Sequence, residues 1–495
     1  MPTSKLPLLP LVLDRVPPGL RLALSQEGVP WVSRKTSAIA GRFVLYDSQT
    51  KNGKKPAQPV AISPGQTRID IHELRAGEPV DPFMALTDDR AVRMAWDLAE
   101  HDLPETTVSE EVSRYDKRAI RDRLLRRLRQ RIESHGGLWL RLSPVPFPYR
   151  TAFHLRVDHD RFDPGDFNRL LDTLAGYENC VTHYLNGQAV DHFSDDAIAR
   201  LDGLDVGSHG YYHHTYRTVE ENLQNLRRGI ETISRRGIDP VGFVAPCGRY
   251  NASLQAAMAT LGISHAGEFG LAYDDWPFWP VRKGSGSTDP AHDVLQIPVH
   301  PICLGLFDDP QSWLDHWTRE AQARYSAGEP LFFYGHPTGR LGRYPELLAR
   351  FLHVIDGMET VWKTTAHRMA EWWRARATVR LSVHREGDTL VVRREGPRPK
   401  FRLAIELFRK DRSALVAMQD AELRFAPEAI AWQRHATFTD LKRPAGHPCR
   451  LSLRDRLKRA IDWEKETPIE EILLDDWRSR CKRTLRELFR NRAAL

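Results

Sequence analysis

Between residues 150 and 376 the chain alternates short β-branched and aromatic runs with helical stretches, which constrains the fold more than any other feature. The strand candidates are AFHLRVD (152–158), VTHYLN (181–186), DVGS (205–208), GFVAP (242–246), VLQIPV (294–299) and LFFYGH (331–336). The connecting stretch TVEENLQNLRRGIETISRRG is typical of the helices between them. Thr218 and Glu221 stand at capping-box spacing, and Leu223, Leu226, Ile230 and Ile233 form one apolar stripe. Strand–helix alternation of this kind predicts a parallel sheet or an α/β barrel. In such folds the reacting groups gather where strands end and lead into helices.

Polar clusters fall at those strand ends. AFHLRVD runs into Asp158-His159-Asp160, and DVGS runs into His209, with His213 four residues on. GFVAP leads into Cys247-Gly248-Arg249-Tyr250-Asn251, and LFFYG ends on His336. A carboxylate with two histidines suits a catalytic divalent metal that keeps an open position for water or a carbonyl. A second carboxylate nearby could serve as general base and a separate histidine as general acid.

Taken in order, RVDHD, HGYYH, VAPCGRYN, YDDW and FFYGH resemble the motif series of the polysaccharide deacetylase family (carbohydrate esterase family 4). The closing VWKTTAHRMAEWW is similar to the family's usual barrel end. The resemblance spans a little under half of the chain. It implies a distorted (β/α) barrel over 150–376 in which Asp160, His209 and His213 bind the metal and Asp158 is the base. His336 would be the acid, oriented by Asp275 or its neighbour Asp274. Trp276 would wall the pocket, Cys247 would offer its backbone N–H to the oxyanion, and Arg249 and Tyr250 would lie at the substrate. The implied metal is zinc, with Co2+, Mn2+ and Ni2+ as alternatives. Three departures stand out: His159 separates the two aspartates, the family's arginine falls on Val244, and its tyrosine falls on Cys247. Another cation, Arg249 or Arg156, is therefore expected to neutralise Asp158. His159 and His214 read as supporting residues, and His300 as pocket lining or core.

The flanks carry less information. Residues 1–149 read as an α+β extension of mixed structure with a basic amphipathic helix near 115–134, its apolar side formed by Ile120, Leu124, Leu128 and Ile132. Residues 377–455 read as a small antiparallel β domain, with Glu386-Gly387-Asp388 turning a hairpin. Residues 456–495 read as a basic helical tail, its helix starting at Thr467-Pro468. The net charge of +7 comes largely from the two basic helices, whose cationic faces are expected to be solvated. An anionic membrane surface or a partner protein is the alternative use of those faces, and no nucleic-acid motif accompanies them. The apolar run LPLLPLVL (6–13) is far short of the roughly 20 residues of a membrane span. Five scattered cysteines without a Cys-x-x-Cys suit a reducing compartment. A cytoplasmic protein is expected, with homo-oligomerisation left open.

The functional expectation is a metal-dependent hydrolase that deacetylates an N-acetylated, less readily an O-acetylated, sugar or glycan precursor. The alternatives are a cyclic amide hydrolase of the allantoinase-like branch and a non-catalytic glycan-binding scaffold.

Overall fold

The structure, a computed structural model, describes residues 8–33, 42–48, 67–75, 77–78, 81–87, 96–104, 107–113, 117–267, 274–280, 293–299, 302–434 and 446–448, with Leu453, Cys481 and Thr484. The helix expected from Thr467 and the histidine at 300 lie outside the described residues.

The N-terminal segment builds a parallel sheet. β1 (Leu8–Asp14) leads into α1 (Pro18–Glu27), where Pro18 fits the first helical turn and Gly28, at φ 81°, closes the last. β2 (Trp31–Ser33), β3 (Arg42–Tyr46) and β4 (Thr67–Asp70) complete a sheet of order β2-β1-β3-β4. α2 (Lys117–Ser134) buries Ile120, Leu124, Leu128 and Ile132, as its periodicity predicts. Its arginines correct the expectation of a solvated basic face. Arg118 and Arg121 are buried, and Arg118 meets Asp275 at 2.8 Å while Arg121 meets Asp274 at 3.2 Å. Arg123 and Arg127 pair with Glu78, Arg129 with Glu133, and Arg131 with Glu73. Arg118 and Arg121 are thus neutralised in the interior, and these other four arginines are paired at partly or fully exposed positions.

β5 (Trp139–Leu142) leaves this segment to pair with a strand from the far end of the chain, described below. β6 (Thr151–His159) is buried at all nine positions, as a central strand of a covered sheet must be. β7 (Val181–Leu185) flanks it and β8 (Asp205–Ser208) lies outside β7, both parallel. α3 (Val219–Ser234) starts at Thr218, whose side chain accepts from the Glu221 N–H. The strand expected at 242–246 is reduced to bridges from Phe243 to Ser208 and Ala266. Gly242 at φ 81° and Pro246 break the extended run on either side. β9 (His265–Ala266) and β10 (Leu295–Gln296) continue the parallel series. β11 (Leu331–Gly335) pairs with the other edge of β6, and β12 (Val361–Lys363) pairs with its first residues. This curved parallel sheet matches the expected α/β class. Pairing that would close it into a complete barrel is not present among the described residues.

α4 (Ala366–Thr378) leads to β13 (Arg380–Glu386) and β14 (Thr389–Glu395), a hairpin turned by Gly387-Asp388 as the sequence predicts. β15 (Leu403–Arg409) pairs with β16 (Arg412–Met418) on one side and with β5 on the other. One core runs from Leu11 and Phe43 through Trp372 to Ile405, so the flanks and the central sheet share their packing. Among the described residues no helix is long and apolar enough to cross a membrane.

The arginines of α2 meet a set of carboxylates at the edge where the strands of the central sheet begin. Glu329 lies there, two residues before β11, fully buried, with Arg118 3.3 Å from its carboxylate. Burial, reinforced by Asp122 and Asp275 and opposed by Arg118, pushes Glu329 up from 4.5 to about 7. A carboxyl whose folded pKa is raised contributes stability that is whole below about pH 4.5 and lost as pH rises through about 7. The loss attributable to Glu329 is about 3 kcal/mol at most. Denaturant titrations at pH 5 and pH 8 are expected to differ by an amount that Glu329→Gln largely removes. An equal pH dependence in the variant would contradict this assignment.

Candidate metal centre and catalytic residues

The register of the central sheet places four chain segments along one edge. Gly335 of β11 pairs with Val157, His159 with Leu185, Leu185 with Ser208, and Ser208 with Phe243. The residues just beyond these positions include Asp158, Asp160, His209 and His336, and Asp160 meets His209 and His336 there.

Asp160 sits at the middle of the cluster. Its Oδ1 is 3.1 Å from His209 Nε2, and its Oδ2 is 3.3 Å from both His213 Nε2 and His336 Nε2. His209 Nδ1 lies 2.7 Å from the Val244 carbonyl. A carbonyl only accepts, so Nδ1 carries the proton and Nε2 presents its lone pair to the cluster. One ligand atom each from Asp160, His209 and His213 lies within 4.8 Å of the others. Tetrahedral zinc with bonds of about 2.0–2.2 Å separates its ligands by roughly 3.4 Å, close to the spacings found here. Asp160 Oδ1 is buried without a hydrogen-bond partner, which also fits a cation at this point. The donor set suits a divalent metal of the zinc type.

The electrostatics follow from the same contacts. Burial would raise the Asp160 carboxyl, but His336 and His213 outweigh it and hold it well below the usual carboxylate range. Burial would lower His336, yet Asp160 holds it well above an ordinary histidine. The Cys303 side chain adds to this upward shift.

Asp158 has different company. Arg156 grips it with two bonds, Nε to Oδ1 at 2.7 Å and Nη2 to Oδ2 at 2.6 Å, and both residues are buried. The third arm of Arg156 donates to the Gly267 carbonyl, and the guanidinium lies over the rings of Tyr184 and Tyr334. A methyl group built on Gly267 would stand 3.2 Å from Val244 Cγ1 and 3.3 Å from Arg156 Nη1, so these three residues are packed together. Of the two cations expected beside Asp158, the structure places Arg156 there.

The loop that carries His209 and His213 is clamped by α3. Asn225 Oδ1 accepts from the N–H groups of Tyr211 and Tyr212, and its Nδ2 donates to the carbonyls of Tyr212 and His214. Asn222 holds Tyr216 in the same manner. Gly229 lets the loop lie directly on the helix, since a methyl group there would stand 2.6 Å from the Gly210 carbonyl carbon. Arg228 stacks on the Tyr211 ring at 3.7 Å and donates to the Tyr212 hydroxyl. None of these helix residues was singled out from sequence. The available signal was two asparagines on the buried side of an amphipathic helix, where polar residues need partners. His214 packs edge-on against Tyr216, and buried His159 meets His183 at 3.0 Å, which places both in supporting positions.

Several expected site residues lie elsewhere. The Asp275 carboxylate is held by Arg324 and Arg118, each at 2.8 Å, and Asp274 is held by Arg121 and Gln26. Arg324 and Glu329 precede β11, whereas His336 follows it. The side-chain contacts described for Asp275 and Asp274 are to Arg324, Arg118, Arg121 and Gln26, and none of them is to His336. The expectation that Asp275 or Asp274 orients the histidine has no such contact behind it among the described ones. Trp276 packs on Trp373 within the core and does not wall the site. Tyr250 is fully buried with Phe243, Leu254 and Met258, so its ring serves packing and not a substrate. Cys247 is exposed in a tight turn with φ 53°, and Arg249 beside it is half-buried.

Residues 157–266 match the family profile described as polysaccharide deacetylase. No curated protein matches the chain. Among solved structures, a family 4 carbohydrate esterase from Streptomyces lividans in complex with acetate is 18% identical, with 43% of this chain and 92% of that one covered, at a TM-score of 0.30. An allantoinase is 16% identical, with 47% and 93% covered, at 0.40. A carbohydrate esterase family 4 pseudoenzyme from Bacillus anthracis is 15% identical, with 46% and 70% covered, at 0.31. Residues 157–266 thus resemble the polysaccharide deacetylase family, which is consistent with a divergent member of it.

Proposed function

We propose that this protein is a metal-dependent hydrolase that removes acetyl from an N-acetylated sugar or glycan precursor. The observation that carries this reading is the convergence of Asp160, His209 and His213 on one point, beside a separately anchored Asp158. A divalent cation held by Asp160, His209 and His213 would supply Lewis-acid polarisation of the acetyl carbonyl and a more acidic water.

The chain's own groups then divide the proton transfers. Asp158 takes the proton from the attacking water. Arg156 occupies one lone pair on each Asp158 oxygen, which leaves the others to receive it. Arg156 also fixes the direction from which the base acts. His336, at the end of β11 beside the cluster, is suited by position to donate to the departing amine. The Cys247 backbone N–H is the group assigned to the developing oxyanion. Asn225 and Gly229 keep His209 and His213 in register, so Asn225→Ala is expected to weaken metal affinity about tenfold or more. Competition with a chromophoric chelator measures this, and unchanged affinity would remove Asn225 from the account.

The test of the function is acetate release from N-acetylated and O-acetylated oligosaccharides by zinc-loaded protein, run beside allantoin. Acetate release from N-acetylated substrates supports the reading. Ring opening of allantoin without acetate release would reassign the site to cyclic amides. Glycan binding without turnover by metal-loaded protein would reassign it to recognition.

A further inference from the structure

A cavity of about 450 Å3 opens at the edge of the molecule where the central strands begin, between α2, β5 and β15. Its floor includes Arg121 and Glu329, each 1% exposed, and its walls include Trp139 and Trp276. Arg126 and Lys410 line it as well. The volume falls within the roughly 300–1,000 Å3 usual for small-molecule sites.

Several features point to an occupant. Arg121 Nε and Glu329 Oε2 are buried and have no hydrogen-bond partner among the described residues. One is a donor and the other is a carboxylate oxygen, so a ligand that both accepts and donates would satisfy the pair. Such atoms are costly to leave unmatched in a buried position. Trp139, Trp276 and Phe408 supply much of the apolar part of the lining, the kind of surface that sugar C–H groups cover. Among the other charged lining residues, Glu27 pairs with Arg141, and Glu133 pairs with Arg129. Arg126 and Lys410 have no carboxylate partner among the described residues, and Asp411 is the acidic group beside them. The lining as a whole holds five cations and five carboxylates, Asp122 among them, and it is at Arg126 and Lys410 that a negative group on the ligand would be met.

We propose that this cavity is a second ligand site, which takes a monosaccharide-sized polyol bearing an anionic group, phosphate or carboxylate. The ring lies against Trp139 and Trp276, its hydroxyls bridge Arg121 and Glu329, and the anionic group meets Arg126 and Lys410. Glu329 precedes β11 and His336 follows it, so the site is separated from the metal cluster by the length of that strand. The proposal does not depend on the hydrolase reading.

Tryptophan fluorescence and calorimetry on the full chain test it, with a hexose 6-phosphate, a hexuronate, the neutral hexose and inorganic phosphate as probes. One or both acidic sugars are expected to bind at least about tenfold more tightly than the neutral hexose or free phosphate, and their relative affinities distinguish phosphate from carboxylate. Arg126→Ala combined with Lys410→Ala is expected to weaken that binding about tenfold or more. Glu329→Gln retains the shape of the floor and is expected to weaken it less. Acidic sugars that bind no better than inorganic phosphate would overturn the proposal, as would a double variant that binds like the wild type. Metal content measured on the same samples separates this outcome from any failure of the hydrolase reading.

Discussion

Asp158→Asn is expected to lower kcat for acetate release by about 10³-fold while bound metal stays at the wild-type level. The two effects separate because the structure gives the two carboxylates different partners. Asp160 faces His209, His213 and His336, whereas Asp158 is held by Arg156. An asparagine at 158 keeps the size of the side chain and loses the ability to take a proton. Metal analysis and steady-state kinetics on one preparation decide the matter. Loss of metal together with activity would mean that Asp158 is a ligand and that the base has been misassigned.

Arg156→Met is the second large effect. The Arg156–Asp158 pair is buried, so removing the guanidinium leaves a carboxylate without its counter-charge. Breaking a buried pair in this way costs about 3–5 kcal/mol of stability. Activity is expected to fall about 10²-fold in the protein that remains folded, since the base loses the fork that aims it. Arg156→Lys should rescue little, because an ammonium cannot bond both carboxylate oxygens and Gly267 in one plane. The double variant Arg156→Met with Asp158→Asn removes both charges and is expected to regain most of the stability without activity. Chemical denaturation of the four proteins completes the cycle. If the double variant is no more stable than Arg156→Met alone, the ion pair is not the source of the loss.

What was legible in the sequence was local. DVGS coincides with β8, the capping of α3 at Thr218 is as spaced, and the Gly387 turn forms the hairpin. The metal cluster was readable because each member stands immediately after a strand, where the architecture alone fixes its edge of the sheet. Asp275 and Trp276 have no such anchor. They lie in a long connection, and their edge is decided by Arg118 and Arg324, which come from distant parts of the chain. The same long-range pairing hid the fate of the basic helix, since periodicity reports which face is apolar but not which arginines find carboxylates. Tyr250 was misplaced for a related reason. Its neighbours Phe243, Leu254 and Met258 close around the ring only when the turn at Cys247 folds back. Arg156 was named as a candidate cation, and its selection over Arg249 depended on the space left beside Val244 and Gly267.

The central claim is that Asp160, His209 and His213 hold one catalytic cation. X-ray absorption on zinc-loaded protein, with the metal counted on the same sample, tests it most directly. The account predicts one zinc per chain with nitrogen and oxygen neighbours at about 2.0–2.2 Å, two of them imidazoles, and no sulfur. His209→Ala should abolish the signal. Protein that stays metal-free after zinc addition at neutral pH, or a zinc shell that keeps two imidazoles in His209→Ala, would contradict it.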